Sequence, residues 1–574
     1  MNDHSKKTGC RKKPLRERGL TGLLLFLFFS GILSADPSFF LSGKPADNSP
    51  YSFSLPLKEA GIHPAPGFSL CLISANQSGE TSEKSGEERP GTGKDPRTEK
   101  KCGRGMLEFG ILMTYSQARY WIKYSQFIED WQYRLTWKDQ KRRFFTTEAI
   151  RFDSNAYKLN WTHGFAGVLY YNFGRSNNWS WMESFLLSLG GSLWWEYVTE
   201  WREVISVNDN IFTAFGGLGA GEPWAQMGKY FNSHSGLFNQ LVGFLNPLYK
   251  LNRWLDRKKL RKWPPEKEPG WHKFGIFVGG RSAPTASSTE NRTNLFLGFH
   301  NQIIHPPEYG RPGEVSAAVK DTLLSEMSLD YTVRNGKMEE VEFFSRAALC
   351  GYFKQRISNG ARGYSYYFGL GSAFTYMKKK AVAFYDSPAV KVKQGVDLHL
   401  EEPRDFRDKL SAVHIAGPVF DLTLFYPKSR FRLVADAYLD FALVNAYALN
   451  PYSLGRNLLG SKTTVLYYGY YYGIGTTLST ALTYNFKAWE LSGLVRYQAY
   501  DSIEGLDRFQ KEVTDDFNIN DSRLSYKLGI RLNIPGTPVE VLGSFEGVDR
   551  AGRIRDVERQ RLENRYSLGL NYRF

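Results

Sequence analysis

The 574-residue chain carries a formal charge of +16, 15% aromatic residues, including 34 Tyr and 40 Phe, and a mean hydropathy of −0.41. It is too long for one compact core, and so much Tyr and Phe argues against an ordinary soluble domain and for a β-rich protein whose rings sit at a bilayer interface. No Lys/Arg-rich element with interleaved stacking residues stands out, which sets nucleic acid aside, and a basic exported protein meets anionic lipid or lipopolysaccharide instead.

In chain order, residues 1–35 read as an export signal: a basic leader, the apolar "LTGLLLFLFFSGIL" and a small-residue cut near Ala35. Removing its seven basic and two acidic side chains leaves +11. Residues 36–105 are Pro/Ser-rich and then almost without apolar side chains, as in "QSGETSEKSGEERPGTGKDPRTEKKCGRG", so a disordered tether is expected. Cys71 and Cys102 flank part of it, and a disulfide between them is permitted in an oxidising periplasm.

Residues 106–265 carry helical periodicity, with Leu107, Ile111, Tyr115, Ala118 and Ile122 at steps of three or four. Of the 14 Trp, 13 lie at or before Trp271, which marks a domain boundary there. The expected role of this helical domain is a plug inside a barrel or a periplasmic floor beneath it. Its most unusual stretch is "SFLLSLGGSLWWEYVTEW" (184–201). The uninterrupted apolar run is short of the roughly 20 residues that cross a bilayer, and Glu183 and Glu196 bracket it. A helix shielded by protein is therefore expected, not a span. Glu196 and Glu200 stand at i,i+4 and repel unless a cation, a metal or a shared proton intervenes. Pairing with Arg175, Arg202 or a barrel arginine is the favoured arrangement. Gly216, Gly217, Gly219 and Gly221 read as a turn before a helix at Pro223, without the Lys-Ser/Thr of a phosphate loop. Residues 237–263 end in a basic run that suits either an interfacial helix or a solvated helix end.

From Lys273 the period becomes two. "FRLVADAYLDFALV" sets Phe431, Leu433, Ala435, Ala437, Leu439 and Phe441 against Arg432, Asp436 and Asp440, and "RLSYKLGIRLNI" repeats the pattern. This fits strands with lipid on one side and a wet lumen on the other. About 12 strands are expected between 271 and 574, with inward Arg432, Asp436, Asp440, Arg496, Arg523, Arg531 and Glu540. Asn335-Gly336 is a hairpin-turn pair, and the long polar tracts 281–292, 304–320, 378–409, 501–521 and 549–563 read as extracellular loops. The fold class expected is thus α+β: an N-terminal helical domain followed by a transmembrane antiparallel β-barrel.

Two resemblances add to this. "RYSLGLNYRF" resembles the terminal strand by which bacterial outer-membrane barrels are recognised, with Ser567, Gly569, Tyr572 and Phe574 at the family's spacings. That resemblance implies the barrel-assembly machinery as a partner. The stretch from Asn160 to Glu222 resembles the uncharacterised bacterial domain of unknown function 3943, reading N-W-T-H-G-F-A-G, G-R, W-E-Y-V-T-E, V-I-S-V-N-D and G-G-L-G-A-G-E. Gly164, Gly174 and Ile205 depart from the family's usual Pro, Ala and Pro. The resemblance implies a polar cluster of Asn160, His163, Arg175, Glu196, Glu200, Asp209 and Glu222 and brings no activity with it. No metal or other cofactor is expected. Passage or export of a solute through a plugged barrel is the leading functional reading. The alternatives are a lipid or lipopolysaccharide hydrolase using His163 with Glu196 or Glu200, for which no Gly-x-Ser-x-Gly or His-Glu-x-x-His motif exists, and a surface structural protein.

Overall fold

The computed structural model describes residues 99–124, 132–153, 161–234, 246–257, 269–285, 288–379, 408–453, 456–508 and 510–574. The leader, residues 36–98 of the tether, Cys71 and Asn160 lie outside the described residues, as does most of the basic run before the barrel; the end of the expected tether is corrected, since Cys102–Gly105 already belong to the first helix. Six of the described helices precede the barrel: α1 (Cys102–Tyr124), α2 (Trp137–Phe145), α3 (Trp161–Arg175), α4 (Trp181–Trp194), α5 (Val207–Ser233) and α6 (Pro247–Arg257). The two-residue strands β1 (Ile150–Arg151) and β2 (Ile205–Ser206) pair between them. Then come β3 (Trp271–Thr285), β4 (Ser288–Ile304), β5 (Gly313–Val319), β6 (Leu324–Arg334), β7 (Lys337–Ile357), β8 (Gly363–Lys379), β9 (Asp408–Tyr426) and β10 (Ser429–Asn445). Helices α7 (Leu449–Ser453) and α8 (Thr463–Tyr468) precede β11 (Tyr470–Phe486), β12 (Trp489–Ser502), β13 (Ile519–Asn533), β14 (Val539–Ile554) and β15 (Val557–Arg573).

Twelve strands form a closed antiparallel ring. The order runs from β7 through β6, β4, β3, β15, β14, β13, β12, β11, β10 and β9 to β8, which pairs back onto β7. Closure leaves no free sheet edge in the ring. The expected number of strands and the Asn335-Gly336 turn are both found, the latter with φ of 49° and 72°. Strand β5 is extra and pairs with the far end of β7. Three expected loops are corrected. Tracts 281–292 and 549–563 are mostly strand, because β3, β4, β14 and β15 extend past their apolar stretches. The 304–320 tract is at the end of the barrel opposite 378–409 and 501–521, with the short turns after Tyr426 and Phe486 and both barrel termini. Short turns and termini mark the periplasmic end of such barrels.

Pleating decides what faces where. Lys273, Gly275, Phe277, His300 and Gln302 line the lumen cavity, so their neighbours Phe274, Ile276 and Ile303 point outward. Around β11 to β15 the outward set is an exposed apolar band including Ile474, Leu478, Leu482, Leu491, Leu528, Leu568 and Leu570. Tyr426, Tyr484, Phe486, Trp489 and Tyr572 form an aromatic rim at its short-turn end.

The helices cover the other side of the barrel from outside, which corrects the expected plug or floor. Val168, Phe212, Ala220, Met227 and Phe231 share one apolar core with the outward Phe274, Ile303, Met327, Phe343, Phe374, Val413 and Phe441. The reason is in the pleat: the inward faces of these strands carry charges along the cavity, and their apolar inward residues near the long loops are already covered by the β10–β11 connection, whereas the outward faces are apolar along the strands. The Gly-rich turn is also corrected, since Gly216 to Gly221 lie inside α5 with Pro223. A Cβ at Gly167 would lie 1.9 Å from the Thr213 carbonyl oxygen, and one at Gly219 would lie 2.5 Å from the Ala373 carbonyl oxygen. Only glycine permits backbones to approach this closely, a use of small residues typical of helices packing in membranes.

Candidate functional site

The family-motif residues do not converge on one point. They divide between the two ends of the helical layer because α3, α4 and α5 run antiparallel along the barrel wall. At the short-turn end, Arg175 closes α3 and Glu222 lies on α5. The pair is joined at 2.8 Å (Nε to Oε2) and 2.9 Å (Nη2 to Oε1). Glu222 is fully buried and also accepts from Tyr171 Oη (2.7 Å), Thr322 Oγ1 (2.8 Å) and Gln226 Nε2 (2.5 Å), while Arg175 reaches Asp321 at 3.2 Å. Thr322 and Asp321 precede β6, so this network ties the helices to the barrel.

At the long-loop end are His163, Glu196, Glu200 and Asp209. Helix α4 begins with a capping box, Ser180 with Glu183, and ends by widening into a π turn over Trp195–Thr199. That turn spoils the simple i,i+4 stacking of Glu196 on Glu200. Glu196 Oε2 accepts from Ser206 N at 2.8 Å, and Glu200 Oε1 accepts from Trp195 Nε1 at 2.8 Å. Neither is paired with Arg175 or Arg202 as expected. The cation is Arg143 of α2, fully buried, and it meets backbone: Nε donates to Glu203 O (2.7 Å), and Nη2 donates to Glu196 O (2.5 Å) and Glu200 O (3.0 Å). It satisfies the carbonyls orphaned at the helix end. Arg508, from the β12–β13 connection, pairs with Glu203 and reaches Asp153 at 3.7 Å. Sequence reasoning missed Arg143, Arg508 and Asp153, since nothing local signals contacts this distant.

His163 Nε2 lies 3.3 Å from Asp209 Oδ1, whose carboxylate also accepts from Asn208 Nδ2 at 2.8 Å. Burial, then neighbouring carboxylates, push Glu196 and Asp209 well above their ordinary values, and burial pushes His163 down. Among the described residues, no group of His, Cys, Asp and Glu that could hold a metal ion is found. Arg143→Met is expected to cost about 1–3 kcal/mol by stranding buried carbonyls, read as a lower chaotrope midpoint of tryptophan fluorescence; an unchanged midpoint would make the guanidinium dispensable.

The lumen holds the other cluster. A cavity of about 370 Å³ runs from Trp271, Arg430, Asn485 and Glu490 at the short-turn end to Met377, Leu410 and Gln498. Its wall is laced by ion pairs: Lys273 with Glu490 (2.6 Å), Arg346 with Glu326 (3.0 Å) and Asp436 (2.6 Å), and Arg531 with Glu540 (3.5 Å). The expected inward Arg432, Asp436, Arg496, Arg523 and Arg531 all line this cavity. Asp440 and Glu540 are buried nearby, Asp440 accepting from Thr477 and meeting His414 at 2.6 Å. Beyond Met377 and Leu410 the lumen is closed by apolar packing of Leu449, Tyr452, Leu458, Val465 and Leu466 from the β10–β11 connection.

On β15, Ser567 Oγ accepts from Arg281 Nε at 3.2 Å and Gly569 lies opposite Gly279 across the seam. Tyr572 is exposed, and the terminal Phe574 stacks on Phe274 with centroids 5.9 Å apart under Phe231 of α5.

Residues 149–247 match the family model described as Domain of unknown function (DUF3943). The DUF3943 segment spans β1 to the start of α6, so it holds α3, α4 and α5 and none of α1, α2 or the barrel, and it contains every motif residue from Asn160 to Glu222. No curated protein matches the sequence. Solved structures with a similar barrel include a refined porin (9% identity, covering 53% of this chain and 99% of that one, TM-score 0.17). The translocator domain of the autotransporter NalP from Neisseria meningitidis is another (10%, 56% and 95%, TM-score 0.18). A third is OmpT of Vibrio cholerae, expressed in the outer membrane (8%, 53% and 97%, TM-score 0.20). The likeness is of barrel fold alone.

Proposed function

We propose that the chain is an integral outer-membrane barrel that takes a small polar solute into its lumen from the periplasmic end and passes or exports it when the β10–β11 connection opens. The observation that carries this reading is the cavity of about 370 Å³, lined by ion pairs and stopped by an apolar cap. Its size falls in the range of small-molecule sites, and mixed charges favour a polar solute. The gate in this reading is α7, α8 and their flanks, not the DUF3943 helices, which stand on the other side of the wall. The exposed apolar band and aromatic rim support placement in an outer membrane, among lipid and lipopolysaccharide, after a leader cut near Ala35. Ser567, Gly569, Tyr572 and Phe574 would then address the strand to the barrel-assembly machinery before Phe574 is covered.

Planar-bilayer conductance tests it, using the mature protein and a Leu458→Asp, Val465→Asp variant checked for heat-modifiable mobility. Rare, small openings are expected for the parent and frequent ones for the variant. Silence from both, with the barrel folded, would overturn the reading.

A further inference from the structure

The helical layer has its polarity reversed. In α4 the buried face is Ser184, Ser188 and Ser192, followed by Glu196, while Leu186, Leu193 and Trp194 are exposed. Ser188 Oγ donates toward Thr213 O (3.1 Å) and Gly167 O (3.3 Å), so polar atoms close helix to helix. Helix α1 exposes Leu107, Ile111, Tyr115 and Ile122, between 61% and 76% of each, and α3 exposes Leu169. A helix facing water shows the opposite arrangement, whereas helices packing in lipid turn small and polar groups toward one another.

Charges sit at the ends. In α1, Arg104 and Glu108 precede an uncharged stretch that lasts until Arg119 and Lys123; α3 is uncharged between His163 and Arg175, and α4 from Ser184 to its end. Among the described residues, no helix is long and apolar enough to cross a membrane by itself. That criterion applies to a helix surrounded by lipid. Here the polar sides meet the barrel or another helix, so only the outer sides need be apolar.

The height also agrees. Phe212, near the start of α5, packs on Phe441, which pairs with Ile474 at the top of the exposed band. Phe231, near its end, packs on Phe574, beside Tyr572 at the bottom. The 27 residues of α5 are about 40 Å long, enough to pass an apolar band of about 25 Å. The helices therefore lie at the level of the band, where they replace lipid over Phe343, Phe374 and Val413.

We infer that the outer side of the DUF3943 layer is bathed by the acyl chains of the membrane, so that α1, α3 and α4 extend the barrel's lipid-facing surface as a helical wall within the bilayer. Continuity with the band and the absence of mid-helix charge single out lipid as the occupant.

The test uses the mature chain in lipid vesicles, its own cysteines replaced by serine, with nitroxide labels on Ile111→Cys, Leu186→Cys or Leu193→Cys, and on Leu482→Cys in the band and Lys337→Cys in a turn as references. Heat-modifiable mobility confirms folding of each. The expected result is preferential collision with oxygen over a water-soluble nickel chelate at the three helix positions, matching Leu482 and opposite to Lys337. Nickel dominance at the helix positions overturns the inference. So does protection from both reagents, which would place another segment or a second copy there. Nickel dominance at Leu482 itself would overturn the membrane placement of the barrel, separating that failure from this one.

Discussion

Arg175→Leu is expected to lower the stability of the helical layer by about 3–5 kcal/mol, the cost of leaving one member of a buried ion pair alone. Glu222 is fully buried, and its remaining donors, Tyr171, Thr322 and Gln226, are neutral. Tryptophan fluorescence during chaotrope unfolding reports this layer selectively, because 13 of the 14 Trp lie at or before Trp271. Adding Glu222→Leu to Arg175→Leu is expected to restore part of the loss, since the stranded charge goes with it. Equal midpoints at pH 7 would show that the pair does not hold the layer.

Gly167→Val is expected to detach the helices from one another and from the barrel. Its new Cβ would meet the Thr213 carbonyl oxygen at 1.9 Å, a backbone atom that cannot swing aside. Overpacking of this kind costs about 1–3 kcal/mol and more where no relaxation is open. The expected observation is protease cutting within 161–233 while the barrel keeps its heat-modifiable mobility. Gly190→Ala is the control: nothing lies within 4 Å of its Cβ, and alanine in a helix interior gains up to about 1 kcal/mol over glycine. A resistant Gly167→Val protein would mean that the α3–α5 contact is looser than the geometry allows.

Much of the barrel was legible because its signals are local. Alternation in "FRLVADAYLDFALV" and "RLSYKLGIRLNI" specifies which side chains face lipid, and Asn335-Gly336 specifies a turn, through backbone preferences that no distant residue can alter. Strand ends were less legible where polar residues continue the ladder, as in β14 and β15. Residues 463–468 form helix α8, whose apolar side chains serve the cap. The helical layer was legible in existence but not in place. Arg175 and Glu222 were both singled out, yet their pairing depends on α3 and α5 crossing at glycines that read as a turn. The Glu196 and Glu200 pair was correctly marked as needing compensation. The geometry beside it is a backbone-binding Arg143, 53 residues from Glu196 in sequence.

The sequence by itself determined that this chain forms an antiparallel β-barrel preceded by a helical block, because periodicity and turn chemistry act within a few residues. Only the tertiary structure decided that the helices stand outside the barrel wall. An apolar face does not encode which partner covers it. Lumen, periplasm and lipid side were all open to the helices until the outward Phe343, Phe374 and Phe441 took up Phe212 and its neighbours, and "SFLLSLGGSLWWEYVTEW" then packs on α5 through Ser188.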